Sequence, residues 1–189
     1  MGNLIFYVVG GKQYVRSKPA KVRQPNTHAQ LQARDRFRQS SKLAKSLSKA
    51  VPFLVKSHSG ILQKSAYHTF LGILRKSRFI EDSQPARWIW PELTLREGNV
   101  PEINLTCAFE EANKMLLIKW NCNSLKQSDT LIILEISTDT LDAKVYRFEP
   151  MSCESSILVK EKAAFYAFIL SDDEEFISGS QFIYMNSFE

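Results

Sequence analysis

The sequence predicts an α+β fold in which a β-hairpin and a two-helix segment precede an antiparallel β-sandwich. Two β-rich runs flank a diglycine near the N-terminus, apolar residues then recur at helical spacing, and short β-rich runs follow from residue 93 onward. The 189 residues suit one large domain or two small ones, and 44% hydrophobic content is ordinary for a globular chain.

Charge is distributed unevenly along the chain. Residues 1–90 contain 17 Lys and Arg against 3 Asp and Glu, whereas residues 91–189 contain 8 basic and 17 acidic residues. The net charges are therefore +14 and −9 in a chain of net charge +5. We predict two domains, a basic region at 1–90 and an acidic β-sandwich at 91–189. The asymmetry indicates either a polyanionic partner or attraction between the two regions, within one copy or between copies.

The N-terminal residues predict a two-residue hairpin. The runs 5–9 and 12–16 are β-rich, and Gly10-Gly11 between them suits a turn that needs positive φ at both central positions. A lone hairpin is only marginally stable in water, so we expect this one to pack against another part of the fold.

Two helices are predicted between residues 27 and 77, forming an αα-hairpin. Thr27 and Gln30 fit a capping box, and Pro52 is expected to kink or end the first helix. The apolar positions expected to face the core from this region are Leu31, Phe37, Ala44, Leu47, Val51 and Leu54. The second helix is predicted at 61–77, with core-facing residues Leu62, Ala66, Tyr67, Phe70, Leu71 and Leu74.

Residues 81–91 look like the crossover from helices into strands, and we expect their aromatic residues Trp88 and Trp90 to be buried. Polar, turn-like stretches then separate eight candidate strands, at 93–96, 103–109, 115–120, 130–136, 143–148, 156–159, 165–171 and 181–184. This spacing predicts an immunoglobulin- or fibronectin-like sandwich. The runs 131–134 and 165–170 are continuously apolar, which predicts central strands.

The cysteines favour the fibronectin-like alternative. Trp120 follows a cysteine-bearing strand at about the distance of an immunoglobulin core tryptophan. However, Cys153 falls in a loop, and the run 165–170 has no cysteine to pair with Cys107, so we expect no immunoglobulin-type disulfide. An odd number of cysteines without C-x-x-C spacing indicates neither a disulfide framework nor a zinc site.

We expect neither a signal peptide nor a membrane-spanning segment. The apolar run at residues 4–9 is too short for either, and it lacks the basic flank of a signal peptide. Cytoplasmic synthesis in a reducing compartment is therefore expected, with a virion or another assembly as a possible final location.

The residues Gly11-Lys12, Arg16, Lys18-Pro19, Val22, Pro25, Thr27 and Ala29-Gln30 form a recognisable pattern. With Ala66-Tyr67, the stretch 93–98 and Ser178-Gly179-Ser180, the chain resembles a family of uncharacterised Bacteroidetes proteins that is similar to short phage and mobile-element proteins. It departs from that pattern at Gln24, where Asn is usual, and at His28, where Pro is common. The resemblance implies a basic front and a sandwich-like tail, and it carries no settled activity.

The sequence predicts no enzyme, no cofactor and no metal site. The motifs G-x-S-x-G, H-E-x-x-H and the P-loop do not occur, and Gly10-Gly11-Lys12 lacks the glycine spacing of a phosphate loop. The four acids at 172–175 could hold a cation such as calcium, although consecutive loop acids are usually solvated. The histidines are scattered, which predicts surface or capping roles for His28, His58 and His68.

Basic residues concentrated on the hairpin, the following segment and the first helix are the candidate binding residues: Lys12, Arg16, Lys18, Lys21, Arg23, Arg34, Arg36, Arg38, Lys42 and Lys45. We predict a non-catalytic structural or adaptor protein, of a phage or mobile-element assembly, that binds another protein or a second copy. The alternative is sequence-independent nucleic-acid binding, with salt-dependent phosphate contacts and base stacking on Tyr7 and Tyr14. A basic helix can also simply be a solvated surface.

Overall fold

The computed structural model describes residues 4–17, 27–55, 65–80, 83, 85–96, 105–121, 128–149, 152–171 and 178–185. These residues form two α-helices, two short 3₁₀ helices and nine β-strands, which confirms the mixed α+β class. The chain divides into two compact units, Met1–Leu31 and Gln32–Glu189.

The predicted hairpin is confirmed. Strands β1 (Leu4–Val9) and β2 (Lys12–Ser17) pair antiparallel, with Tyr7 directly opposite Tyr14. The turn residues Gly10 and Gly11 have φ angles of 58° and 77°. Both central positions of the turn therefore use the left-handed backbone conformation that glycine adopts without steric cost.

Helix α1 (His28–Ala50) begins at the predicted cap. The amide of Thr27 donates to the Gln30 side chain and the amide of Gln30 donates to the Thr27 hydroxyl, each at 3.4 Å, which is the reciprocal pattern of a capping box. The helix ends two residues before Pro52, which opens a 3₁₀ helix (Pro52–Val55), so the predicted termination is also confirmed.

Two apolar positions of α1 were wrongly predicted to face the core. Leu31 and Phe37 are 45% and 50% exposed, whereas the buried residues are Ser40, Leu43, Ala44 and Leu47. Leu31 lies nine residues before Ser40, which is about two and a half turns, so it projects from the opposite side of the helix.

Helix α2 (Ala66–Lys76) covers the later part of the predicted second helix, since residues 61–64 lie outside the described part of the chain. Phe70 and Leu74 are buried, while Ala66, Tyr67 and Leu71 are half-buried against the same core, as predicted. The second 3₁₀ helix (Trp90–Glu92) follows.

Seven strands form two antiparallel sheets, a sandwich-like arrangement: β3 (Leu105–Glu110), β4 (Met115–Trp120), β5 (Thr130–Ser137), β6 (Ala143–Phe148), β7 (Glu154–Leu158), β8 (Ala163–Leu170) and β9 (Gln181–Met185). The three-stranded sheet has the order β3-β4-β7 and the four-stranded sheet has the order β6-β5-β8-β9. The two continuously apolar runs lie on β5 and β8, which are the central strands, as predicted.

The predicted strand at 93–96 is absent. The amides of Leu95 and Arg96 donate instead to the hydroxyl of Ser180, at 2.9 and 3.2 Å. A side chain therefore satisfies backbone groups that a strand would have paired with a neighbouring strand.

The four-stranded sheet is buried on both faces. One face packs on the three-stranded sheet through residues such as Ile133 and Phe165. The other face, with Ile132 and Phe168, packs on the helices and on Trp88. Because both faces are covered, β5 and β8 can be apolar at consecutive positions rather than at alternate ones.

The core between the helices and the four-stranded sheet contains residues from both sides of position 90. The charge changes sign near residue 90, whereas the compact units divide between Leu31 and Gln32, so the two boundaries do not coincide. Trp88 and Trp90, expected to be buried, are 1% and 6% exposed. Their burial places these two side chains inside the core that joins the helices to the four-stranded sheet.

Candidate functional site

Seven of the ten predicted binding residues lie in the described part of the chain, whereas Lys18, Lys21 and Arg23 lie outside it. The seven occupy two elements, with Lys12 and Arg16 on β2 and the other five on α1: Arg34, Arg36, Arg38, Lys42 and Lys45. Each element presents a distinct surface.

One face of the hairpin is mainly apolar. Leu4, Phe6 and Val8 alternate along β1 and are 56%, 72% and 63% exposed. Val15, which is directly opposite Phe6 on β2, is 52% exposed. We call Leu4, Phe6, Val8 and Val15 the docking face of the hairpin.

The opposite face of the hairpin combines aromatic rings with cations. Tyr7 and Tyr14 stack with their ring centroids 5.6 Å apart and an angle of 20° between their planes. The guanidinium of Arg16 lies 5.8 Å from the Tyr7 ring centroid, and Lys12 pairs with Val9 on the same face. This arrangement favours contact with flat or anionic groups.

Four of the five candidates on α1 form a stripe on its exposed side. Since successive helical residues are rotated by about 100°, residues at spacings of four, four and three lie on one side of the helix. The stripe runs along the side opposite Ser40 and Leu43, continues to Lys49, and contains Arg34, Arg38, Lys42 and Lys45. Arg38 is 3.8 Å from Asp35, and among the described residues the other members form no ion pair.

Arg36 lies on a different side of α1 and lines a cleft that sequence reasoning missed. The cleft has a volume of about 640 Å³ and is lined, among others, by Arg36, Arg75, Arg78, Phe37, Phe79 and Ser40. We call it the arginine cleft. Arg75 lies in the last turn of α2 and Arg78 just beyond it, so the contributing residues are about 40 positions apart in sequence. The only hint in the sequence was the basic cluster at 75–78.

The arginines of the cleft are held differently. The Arg36 guanidinium lies 5.3 Å from the Phe79 ring centroid, and Phe79 packs in turn on Trp88 with centroids 5.0 Å apart. Arg78 donates to both carboxylate oxygens of Glu92, at 3.3 and 3.0 Å. Among the described residues, neither Arg36 nor Arg75 forms an ion pair with a carboxylate.

A buried hydroxyl completes the cleft. Ser40 is 1% exposed, lies on the helix side that faces the core, and contributes to the cleft wall. Among the described residues, its Oγ has no hydrogen-bond partner. Buried polar atoms are normally satisfied, so an unpartnered hydroxyl in a cleft wall points to a ligand.

Residues from the resemblance pattern act as structural tethers. The buried Ser178 hydroxyl accepts from the Ile169 amide at 2.8 Å, and the Ser180 hydroxyl accepts from the Leu95 and Arg96 amides. The Arg96 side chain donates to the Leu54 carbonyl, and its burial lowers the pKa of the guanidinium. These contacts tie β9 and the first 3₁₀ helix to the segment that follows the tryptophans.

Two polar contacts of α1 also hold neighbouring elements together, one through a hydroxyl and one through a carboxylate. The hydroxyls of Ser41 and Tyr67 are 2.9 Å apart, which links α1 to α2. The Asp35 carboxylate accepts from the Ala86 amide at 2.6 Å. These residues therefore hold the elements around the arginine cleft together.

The expectation about disulfides was wrong in one respect, because Cys153 is disulfide-bonded. Cys153 directly precedes β7, and its carbonyl accepts from the Trp120 amide at the end of β4 at 2.9 Å. Only the pairing of β4 with β7 creates this proximity, so sequence spacing did not reveal it. Cys107 is a free thiol, and burial raises its pKa.

The predicted histidine roles and the possible cation site add little to the description of a functional site. His28 and His68 are exposed, in agreement with surface roles. The Nδ1 atom of His68 lies 2.6 Å from the Ser65 hydroxyl at the start of α2, where no side chain caps a backbone amide. His58 and the acids 172–175 lie outside the described residues. Elsewhere, in the residues the structure describes, no group of three or more potential ligands is arranged to hold a metal ion, and no helix has the length and hydropathy needed to cross a membrane.

No protein-family model, curated protein or solved structure matches this chain.

Proposed function

We propose that this chain is a non-catalytic structural protein that docks onto further copies of itself, using the β1–β2 hairpin as an arm. The observation that carries the proposal is the exposure of the docking face, where Phe6 and Val8 are 72% and 63% exposed. Apolar surface of this kind is typical of protein–protein contact sites. The resemblance to phage and mobile-element proteins favours a role as a component of such an assembly.

A complementary surface lies on the outer side of the three-stranded sheet. Leu117 on β4 and Leu158 on β7 are 38% and 51% exposed there. The strand registers place Glu110 and Glu154 on the same side, and Lys119 lies 3.3 Å from Glu154. We call Leu117, Leu158, Glu110 and Glu154 the outer face. Its apolar centre matches the apolar docking face of the arm, and its edge carries carboxylates.

The charge of the two regions supports the same pairing. Lys12 and Arg16 lie on the face of the arm opposite the docking face, so they attract the outer face at long range rather than by contact. The region that contains the outer face has 17 acidic and 8 basic residues. Because the arm and the outer face are different surfaces, contact between copies is head-to-tail. Such contacts produce rings or filaments rather than an isolated symmetric pair.

Size-exclusion chromatography with light scattering tests this proposal on the full chain over a concentration series. We expect species larger than the monomer for the wild type. Substituting the arm (Phe6→Thr with Val8→Thr) or the outer face (Leu117→Thr with Leu158→Thr) should give monomers. Leu31→Gln, which changes an exposed leucine outside both surfaces, should assemble normally. A wild type that stays monomeric at all concentrations would overturn the proposal.

Mixing the two assembly-deficient variants gives a sharper test. The arm variant keeps an intact outer face and the outer-face variant keeps an intact arm, so one productive contact can form between them. A head-to-tail mechanism predicts a 1:1 dimer and nothing larger in the mixture. Continued absence of any dimer would contradict pairing of these two surfaces.

We further infer that the two sheets form an immunoglobulin- or fibronectin-like sandwich. In immunoglobulin domains, the first, second and fifth strands share one sheet, and an added strand can join the sheet of the third, sixth and seventh. The strand orders β3-β4-β7 and β6-β5-β8-β9 follow this plan if β3 is taken as the first strand. Trp120 is buried between the sheets but lies on the second strand, whereas the immunoglobulin tryptophan lies on the third. The fibronectin-like alternative therefore remains favoured.

Nucleic-acid binding is the second candidate, and the stripe on α1 favours it. From Arg34 to Lys49 the stripe extends about 22 Å along the helix axis, at a rise of about 1.5 Å per residue. Its members are exposed, and among the described residues only Arg38 has an ion-pair partner. Such a row of cations can neutralise several phosphates of one nucleic-acid strand.

Fluorescence anisotropy with short DNA and RNA across a salt series tests this candidate. Reversing three stripe residues (Arg34→Glu, Arg38→Glu and Lys42→Glu) should abolish binding. The matched control reverses three exposed lysines of the sandwich, Lys144, Lys160 and Lys162, and should retain it. Neutralising these stripe residues with glutamine should lower the slope of log affinity against log salt by about 2 to 3. Equal losses in both sets would indicate a general charge effect.

A further inference from the structure

In the part of the chain that the structure describes, two positive charges of the arginine cleft have no carboxylate partner. Arg36, Arg75 and Arg78 line it, and only Arg78 has a carboxylate partner among the described residues, the Glu92 side chain at 3.0 Å. Guanidinium groups bind phosphate and carboxylate oxygens through paired hydrogen bonds. Two net positive charges match a dianion better than a single carboxylate, and a phosphate monoester carries about −1.5 to −2 charges at pH 7.

Apolar side chains form the rest of the cleft wall. Phe79 lies beneath the Arg36 guanidinium, and Ile80 and Ile89 also line the cleft. Phe37 is 50% exposed at the same place, although it was expected in the core. A volume of about 640 Å³ lies within the usual range for small-molecule sites. The cleft can therefore hold an apolar group as well as an anion.

The hydroxyl of Ser40 is the second, independent indication of a ligand. It is 1% exposed in the cleft wall and has no hydrogen-bond partner. An unsatisfied buried hydroxyl lowers the stability of the fold unless a bound group completes its hydrogen bond. A phosphate oxygen held by the neighbouring arginines is a suitable acceptor for this hydroxyl.

We propose that the arginine cleft binds a small phosphate monoester that carries an apolar or aromatic group. Arg36 and Arg75 contact the phosphate, Ser40 donates a hydrogen bond to one of its oxygens, and Phe37, Phe79 and Ile80 contact the apolar group. The site does not depend on the docking arm, so its test is separate from that of self-assembly.

Isothermal titration calorimetry of the full chain with phenyl phosphate tests the proposal, with phenol and inorganic phosphate as comparison ligands. Phenyl phosphate should bind at least about tenfold more tightly than either fragment, because each fragment makes only part of the contacts. Equal binding of phenol would overturn the role of the anion. Equal binding of inorganic phosphate would overturn the role of the apolar wall. Failure of all three ligands to bind would overturn the proposed site as a whole.

Matched variants locate the site. Arg36→Gln and Arg75→Gln should each weaken phenyl phosphate binding about tenfold, whereas Arg87→Gln, an exposed arginine that does not line the cleft, should change it less than about twofold. A similar loss in all three would show that general electrostatic attraction is responsible and would overturn the assignment. Normal binding by the Phe6→Thr with Val8→Thr variant is expected, because the docking arm lies outside this site.

Ser40→Ala separates ligand binding from folding. Removal of the unpartnered hydroxyl should leave the melting temperature of the free protein unchanged or raised, because no hydrogen bond is lost. The same change should weaken phenyl phosphate binding about fivefold. A lowered melting temperature with unchanged affinity would show that the hydroxyl serves the fold and would overturn its role in the site.

Discussion

In the β1–β2 hairpin, Phe6 and Val8 are 72% and 63% exposed, whereas Phe168 and Ile132 in the four-stranded sheet are fully buried. Both regions consist of paired antiparallel strands rich in β-branched and aromatic residues. The four-stranded sheet has a covering layer on each face, while five large apolar residues of the hairpin are more than half exposed. Strands of similar composition are therefore buried in the core in one region and leave apolar surface exposed in the other.

The largest expected effect comes from the buried region. Phe168→Ala should lower the free energy of unfolding by about 3 to 5 kcal/mol, because it removes a fully buried ring and leaves a cavity between the sheet and the helices. Urea denaturation followed by circular dichroism measures this loss. A loss below about 1 kcal/mol would contradict the burial of this face of β8 against the helices.

Alkaline pH should destabilise the same region. Burial raises the pKa of Tyr166, and burial together with the Glu135 carboxylate raises that of Tyr146. Because these tyrosines ionise near pH 10 in the unfolded chain and only at higher pH in the folded one, their protonated forms favour the fold. Their stabilising contribution is present below about pH 10. Above it, stability should fall by up to about 1.4 kcal/mol per pH unit for the buried Tyr166, and by less for Tyr146, which is half-buried and more screened by solvent.

Urea denaturation between pH 8 and pH 11 measures this dependence. Tyr166→Phe should show a shallower decline above pH 10, although it is less stable overall because the hydroxyl donates to the Trp90 carbonyl at 2.7 Å. An identical pH profile in the variant and the wild type would rule out Tyr166 as a source of the alkaline decline.

A smaller effect is expected at a polar tether of the buried region. Asp35→Ala should cost about 1 to 2 kcal/mol, because it leaves the Ala86 amide without the carboxylate that accepts from it at 2.6 Å. Asp139→Ala, which removes an exposed carboxylate, is the control and should cost less than about 0.5 kcal/mol. Thermal denaturation of both variants makes the comparison, and equal losses would mean that the Asp35 contact contributes nothing.

The smallest effect on stability is expected at the docking face. Phe6→Thr with Val8→Thr should change the free energy of unfolding by less than about 0.5 kcal/mol, since both side chains are mainly exposed and threonine suits a strand. The same urea denaturation experiment applies. A loss comparable with that of Phe168→Ala would show that these side chains belong to a core and would remove the contrast between the two regions.

Local features were predictable from the sequence because neighbouring residues determine them. The Gly10-Gly11 turn, the Thr27 and Gln30 capping box, the end of α1 before Pro52 and seven of the eight strands follow from short-range preferences. The same reasoning located the cations of α1. It misplaced Leu31 because apolar spacing alone does not show which side of a helix is buried. It misplaced Phe37 because the buried part of α1 begins only at Ser40, and spacing does not show where along a helix the packing starts.

The tertiary structure alone decided which surfaces face each other. The helices cover the second face of the four-stranded sheet, so β8 is buried at every position and β5 at every position after Thr130. The Ser180 hydroxyl bonds the Leu95 and Arg96 amides in place of a predicted strand. The packing of α1 against α2 also places Arg36 away from the stripe and beside Arg75, Arg78 and the buried Ser40 hydroxyl. Side chains about 40 residues apart meet only after the helices pack, so their spacing in the sequence does not predict that contact.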